Sequence, residues 1–168
     1  MSKDILFHTI FVHETSKIWV VFVHGAGGSS AIWFRQIKAY KKEYNVLLLD
    51  LRGHGKSNNL VQNFVDNNYS FNNVSKDIID VLDHNNITSA HFVGISLGTI
   101  IIRNIAEIAP QYVSSMVLGG AVTRFNTRSN TLVYLGNTFK HFLPYMWLYR
   151  LFAFIMMPKK RHKESRNL

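Results

Sequence analysis

Apolar residues along the chain fall into short runs separated by stretches of helical period, and that alternation sets the first expectation about architecture. Ile5 to Val12 reads as a strand. Ile18 to Val23 and Val46 to Leu49 are almost wholly apolar, as strands are when both faces of a sheet are covered. Between them Trp33, Phe34, Ile37 and Tyr40 recur at helical spacing, and Ser29 or Ser30 stands where an N-cap belongs. A second helix is predicted to start near Ser70, with Val74, Ile78, Val81 and Leu82 on one face and Asn85-Asn86 at its end. Ala90 to Gly94 reads as a strand, Leu97 to Ala109 as a helix stopped by Pro110, and Val113 to Leu118 as a strand before Gly119-Gly120. Strands and helices that alternate in this way predict an α/β fold, with a doubly wound, mostly parallel sheet and right-handed crossovers.

In such a sheet, sites form at the carboxyl ends of the strands. The glycine-rich breaks at Gly25, Gly53 and Gly94 all fall at or just beyond such ends, so three unusual loops should converge on one rim. Gly94-Ile95-Ser96-Leu97-Gly98 is a G-x-S-x-G string between a strand and a helix, the setting that gives it meaning. A serine on a sharp turn there projects its hydroxyl from the sheet, and the flanking glycines leave room for strand and helix to meet. The N–H of Leu97 falls at a helix N-terminus, where partial positive charge favours an oxyanion. His24-Gly25-Ala26-Gly27-Gly28 reads as a turn before a helix or as an anion loop. It does not complete G-x-G-x-x-G, and no P-loop lysine follows.

These two strings, with Asp50-Leu51-Arg52-Gly53-His54-Gly55-Lys56-Ser57, resemble three hallmarks of the α/β-hydrolase superfamily, in the family's order and over about residues 5 to 122. The resemblance implies Ser96 as nucleophile and the N–H groups of Ala26 and Leu97 as the oxyanion hole. His24, Gly25, Gly27, Asp50, His54, Gly94, Ile95 and Gly98 would line or support the site. Asp50 and Arg52 would hold their loop in shape, and His24 would be a structural hydrogen-bonder rather than a base. Thr99 stands where many relatives carry glycine. Serine rather than aspartate at the turn argues against a dehalogenase or an epoxide hydrolase. The implied activity is cleavage of an ester, thioester or related acyl bond in a small-molecule substrate, with no metal and no organic cofactor.

In this superfamily the acid and then the histidine follow the serine along the chain. Downstream of Ser96, Glu107 lies inside the next helix, and no Asp or Glu occurs from Ile108 to Lys163. Glu164 lies in the basic tail, and His141 and His162 are the only later histidines. The expectation is a longer hydrolase of which residues 1–122 are the N-terminal part of the core and 123–168 the opening of a helical cap with a basic tail. Such a piece would be inactive alone. Its last strand would leave an open edge, through which dimerisation or strand exchange is expected. The alternative readings are a natural short form of such a hydrolase and a non-catalytic, hydrolase-like binding or interaction module.

Composition narrows the rest. Apolar residues make up 47% and aromatic residues 13%, which fits a globular chain. The absence of cysteine excludes a disulfide framework, a thiolate metal site and a cysteine nucleophile. The net charge of +9 is concentrated in Lys159, Lys160, Arg161, Lys163 and Arg166, a run without interleaved aromatics that reads as a solvated tail and not as a nucleic-acid surface. Phe142 to Met157 is apolar but interrupted by Arg150, and it is shorter than the roughly 20 residues a spanning helix needs. It reads as a buried or interfacial helix, with membrane-surface contact the weaker alternative. Met1-Ser2-Lys3-Asp4 is not followed by a signal-peptide core, so a cytoplasmic location is expected.

Overall fold

A computed structural model of the chain describes residues 5–60, 70–121 and 134. Internal contacts divide the chain into two units, Met1–Val122 and Thr123–Leu168. Apart from Tyr134, the expected cap lies outside the described residues, and so do the apolar run from Phe142 to Met157, the basic tail, His141, His162 and Glu164.

Within the first unit the order is β1 (His8–Phe11), β2 (Trp19–Val23), a 3-10 turn (Ser30–Trp33), α1 (Phe34–Tyr40), β3 (Asn45–Leu49), a second 3-10 turn (Gly55–Leu60), α2 (Phe71–His84), β4 (Ala90–Ile95), α3 (Leu97–Ile108), a third 3-10 turn (Pro110–Tyr112) and β5 (Val113–Gly119). The five strands form one sheet in the order β1-β3-β2-β4-β5. β3, β2, β4 and β5 run parallel, and β1 pairs antiparallel to β3. The carboxyl ends of β2 to β5 therefore share one rim, and that rim receives all three unusual loops.

The near-continuous apolar runs follow from burial on both faces. Val21, Val23, Leu47, Leu49 and Phe92 pack on one side with Val74, Ile78, Val81 and Leu82 of α2 and Ile101, Ile102 and Ile105 of α3. Val20, Phe22, Val46 and Leu48 point the other way, against Trp33, Ile37 and Tyr40. Each fully buried Leu, Ile or Phe side chain is worth about 1.5–3 kcal/mol over exposure, so alternate residues of β2 and β3 stabilise two separate layers. β5 is the outer strand of the described sheet, and Met116 and Val117 on it are exposed. Among the described residues, no helix is long and apolar enough to cross a membrane.

Two elements depart from expectation. The first strand is four residues, not eight, because Phe7 turns its polar groups to loops: its N–H donates to Ser57 Oγ and its carbonyl accepts from Asp50 N–H. The helix expected from Ser29 or Ser30 begins as a 3-10 turn, and Ser29 at its N-cap makes no side-chain cap hydrogen bond. The acceptor comes instead from Asp50, twenty residues away, whose Oδ1 takes the Ser30 N–H at 2.7 Å. Ser70, by contrast, caps α2, accepting from Asn73 N–H at 3.2 Å. Ser70→Ala should therefore cost about 1 kcal/mol in urea unfolding, and Ser29→Ala clearly less.

Candidate active site

Ser96 follows the last residue of β4 and precedes the first of α3, with φ 49° and ψ −118°. A left-handed φ on a residue with a Cβ is strained by about 1–3 kcal/mol and persists only where its surroundings fix it. Here they do so from both sides. The Ser96 N–H donates to Gly119 O of β5 at 3.0 Å. The Ser96 carbonyl accepts from Thr99 N–H at 2.9 Å and from Thr99 Oγ1 at 2.7 Å. Thr99 is buried and serves as a second donor to the turn, so a side chain at this position fits the helix packing. The Ser96 side chain stands on an exposed residue.

Two glycines permit this turn. A Cβ on Gly98 would run into the Val23 carbonyl oxygen and lie 2.9 Å from His24 O, so α3 can rest on the end of β2 only with glycine there. A Cβ on Gly94 would strike Ile102 and lie 3.0 Å from the Gly98 carbonyl carbon. Close backbone approach thus brings the loop after β2 against the serine: a Cβ built on Gly25 would be 3.2 Å from Ser96 Cβ. Leu97 N–H, first in α3, has no intrahelical acceptor. Ala26 N–H takes no acceptor among the described residues.

The loops are fastened by buried polar groups. His24 is fully buried; its Nδ1 lies 2.7 Å from Gly25 O and its Nε2 3.0 Å from Leu51 N. A carbonyl and an N–H as partners fix one tautomer: Nδ1–H donates and Nε2 accepts. Burial pushes the His24 pKa below its ordinary value, with nearby His54 adding to the fall, while the Gly25 carbonyl and Asp50 oppose it. Asp50 is also buried, which alone would raise its pKa. Backbone N–H donation from Lys56 and Ser30 reverses that and holds the carboxyl below its ordinary value. The His54 ring lies 5.2 Å from the His24 ring, tilted 56° to it, and donates Nδ1–H to Arg52 O at 3.0 Å. Among the described residues, no group of three or more His, Asp or Glu side chains converges as a metal site would require.

The residues singled out from sequence on the three loops thus meet at one rim: Gly25 against Ser96, and His24 against Leu51 and His54. A family model described as "alpha/beta hydrolase fold" matches residues 18–146. The chain belongs to the α/β-hydrolase fold family. It is 39% identical over 79 residues to 3-oxoadipate enol-lactonase 1 of Acinetobacter baylyi, covering 47% of this chain and 27% of the lactonase. It is 29% identical over 117 residues to epoxide hydrolase 4 of Homo sapiens, covering 70% of this chain and 32% of that enzyme. The chain thus spans about a quarter to a third of the length of these curated relatives. A crystal structure of a hydrolase from Pseudomonas aeruginosa superposes with TM-score 0.72 at 20% identity, over 95% of this chain and 60% of that one, a likeness of fold.

One contact at this α/β-hydrolase rim is not marked by local sequence pattern. Arg52 donates Nε–H to Asp77 Oδ2 at 2.7 Å and Nη2–H to Asp77 Oδ1 at 2.6 Å, a two-pronged pair between the loop after β3 and helix α2. Only one of its partners stands out: Asp77 sits three residues after Val74 and four before Val81, which puts a carboxylate on the helix's apolar face.

The His24 geometry makes stability depend on pH with a definite sign. The folded state holds this ring neutral below the pH at which an unfolded histidine gains its proton, so the unfolded chain binds more protons there. His24 therefore stabilises the fold fully above about pH 6.5 and loses that contribution as pH falls toward its lowered pKa. Its share of the slope is at most about 1.4 kcal/mol per pH unit. Urea unfolding between pH 7.5 and 5 should show a steeper loss for the wild type than for His24→Gln; parallel slopes would contradict the buried neutral ring.

Proposed function

We propose that this protein is a serine hydrolase acting on an ester, thioester or related acyl bond of a small molecule. Ser96 Oγ attacks the acyl carbon, and the carbonyl oxygen takes up negative charge beside the N–H groups of Ala26 and Leu97. The carbon–oxygen or carbon–sulfur bond then breaks, the leaving group departs as an alcohol or thiol with a proton, and the acyl group stays on Oγ until water releases it as a carboxylic acid. The observation that carries this reading is the strained, exposed Ser96 turn at the strand–helix junction, pressed against the Gly25 loop. Functional groups held in sparsely populated backbone conformations cluster at reactive sites.

A base must take the Ser96 proton, and an acid must orient that base. His24 does not serve as the base in this reading, because both ring nitrogens are engaged with backbone groups, Nδ1 with Gly25 O and Nε2 with Leu51 N–H. Glu107 is exposed near the end of α3. The base and its acid are proposed to lie in the part of the family's length that this chain does not span. In this reading residues 1–122 are the nucleophile-bearing part of the core and residues 123–168 belong to the opening of a helical cap.

Labelling with a fluorophosphonate probe tests the assignment. The intact protein should be modified at Ser96, found by mass spectrometry of the peptide. Ser96→Ala should lose the label and reduce p-nitrophenyl ester turnover by at least about 10³-fold. A folded protein that stays unlabelled, or a Ser96→Ala variant that keeps wild-type turnover, would leave the non-catalytic binding module as the better account.

A further inference from the structure

Among the described residues Ala26 N–H has no partner that would aim it, yet an oxyanion donor must be aimed. Its direction is set from the other end of the same peptide. Gly25 C=O and Ala26 N–H belong to one planar trans unit, so they point in opposite directions and turn together. The Gly25 carbonyl is gripped twice, by His24 Nδ1–H at 2.7 Å and by Gly28 N–H at 3.1 Å. Whatever fixes the His24 ring therefore fixes the Ala26 N–H.

The ring is held at Nε2 by Leu51 N–H, and Leu51 adjoins Arg52. The Arg52 guanidinium is gripped on two prongs by Asp77, with side-chain exposures of only 23% and 12%. Asp77 stands on α2, a rigid support. Val74, Ile78, Val81 and Leu82 beside it are buried, and Ser75 Oγ donates to Ile101 O of α3 at 3.4 Å. The chain of contacts runs from a core helix to the peptide that carries the proposed oxyanion donor.

We infer that Asp77 is a positioning residue of the reaction, acting through Arg52 and His24 on the Ala26 N–H. This rests on the reading of Ser96 and Ala26 given under Proposed function. Asp77 touches no substrate. Its carboxylate holds the Arg52 end of the loop so that Leu51 N–H meets the one lone pair on the His24 ring. Asp77→Asn replaces one accepting oxygen with an amide that repels the guanidinium, whereas Asp77→Glu keeps the charge on a longer arm.

The test combines turnover with a spectroscopic readout in the intact protein. Asp77→Asn should lower kcat for a p-nitrophenyl ester about tenfold with KM changed less than about twofold, since a misaimed donor is missed chiefly in the transition state. Asp77→Glu should recover part of that loss. In a double-mutant cycle, Asp77→Asn and His24→Asn together should cost less than the product of the two single effects, because both act through one peptide. Independently of turnover, the His24 Nε2 and Leu51 amide nitrogen resonances should move in Asp77→Asn while the protein still unfolds cooperatively. Unmoved resonances, an unchanged kcat per folded molecule, or multiplicative single effects would each overturn the proposal. Wild-type turnover in Ser96→Ala would instead overturn the nucleophile, and the resonances would still decide whether Asp77 governs the loop.

Discussion

Helix α3 starts where strand β2 ends, and the space between them is too small for a side chain. Gly98 meets the carbonyls of Val23 and His24 at that point, and any Cβ there would overlap the Val23 oxygen. With the helix pressed so close, the backbone leaving β4 has one residue in which to reverse, and Ser96 takes a left-handed φ to do it. The strain is balanced by hydrogen bonds to the neighbouring strand and to Thr99. The juxtaposition of Ser96 with Gly25 follows from the same contact, because β2 delivers its loop to the place where α3 begins.

Around that contact, buried polar groups replace regular secondary structure as the source of order. His24 and Asp50 are buried, and each bonds one backbone group of its own loop and one of another loop. An unmet buried donor or acceptor costs about 1–3 kcal/mol, so these partners lock the loops in one arrangement. The two residues are buried in opposite charge states: the imidazole is kept neutral and the carboxylate charged. Acidification therefore works against both, first at the ring and then at the carboxyl.

Where both faces of the sheet are covered, the sequence pattern is unambiguous, and β2, β3 and helix α2 lie close to their expected positions. Chain order alone puts the three glycine-rich loops on one rim. What the sequence did not disclose are the long-range partners. Nothing near Ser29 marks Asp50 as the group that receives the Ser30 N–H, and nothing near Phe7 marks Ser57 as its acceptor. Local patterns carry local hydrogen bonds; contacts spanning twenty or fifty residues depend on the folded path. Asp77 lies between these cases, since its place on an apolar helix face was visible while its partner was not.

A parallel sheet also separates the two ends of its strands into different kinds of territory. The turns at Asn86, with its positive φ, and at Pro110 join the helices to β4 and β5 on the side opposite Ser96. There Tyr112 donates its hydroxyl to Asp83 across the two turns. Lengthening either turn adds slack outside the layered core and a full strand away from the nucleophile turn. Drift, epitope tags and grafted segments thus have room on that side of the molecule, while a single methyl group at Gly98 has none.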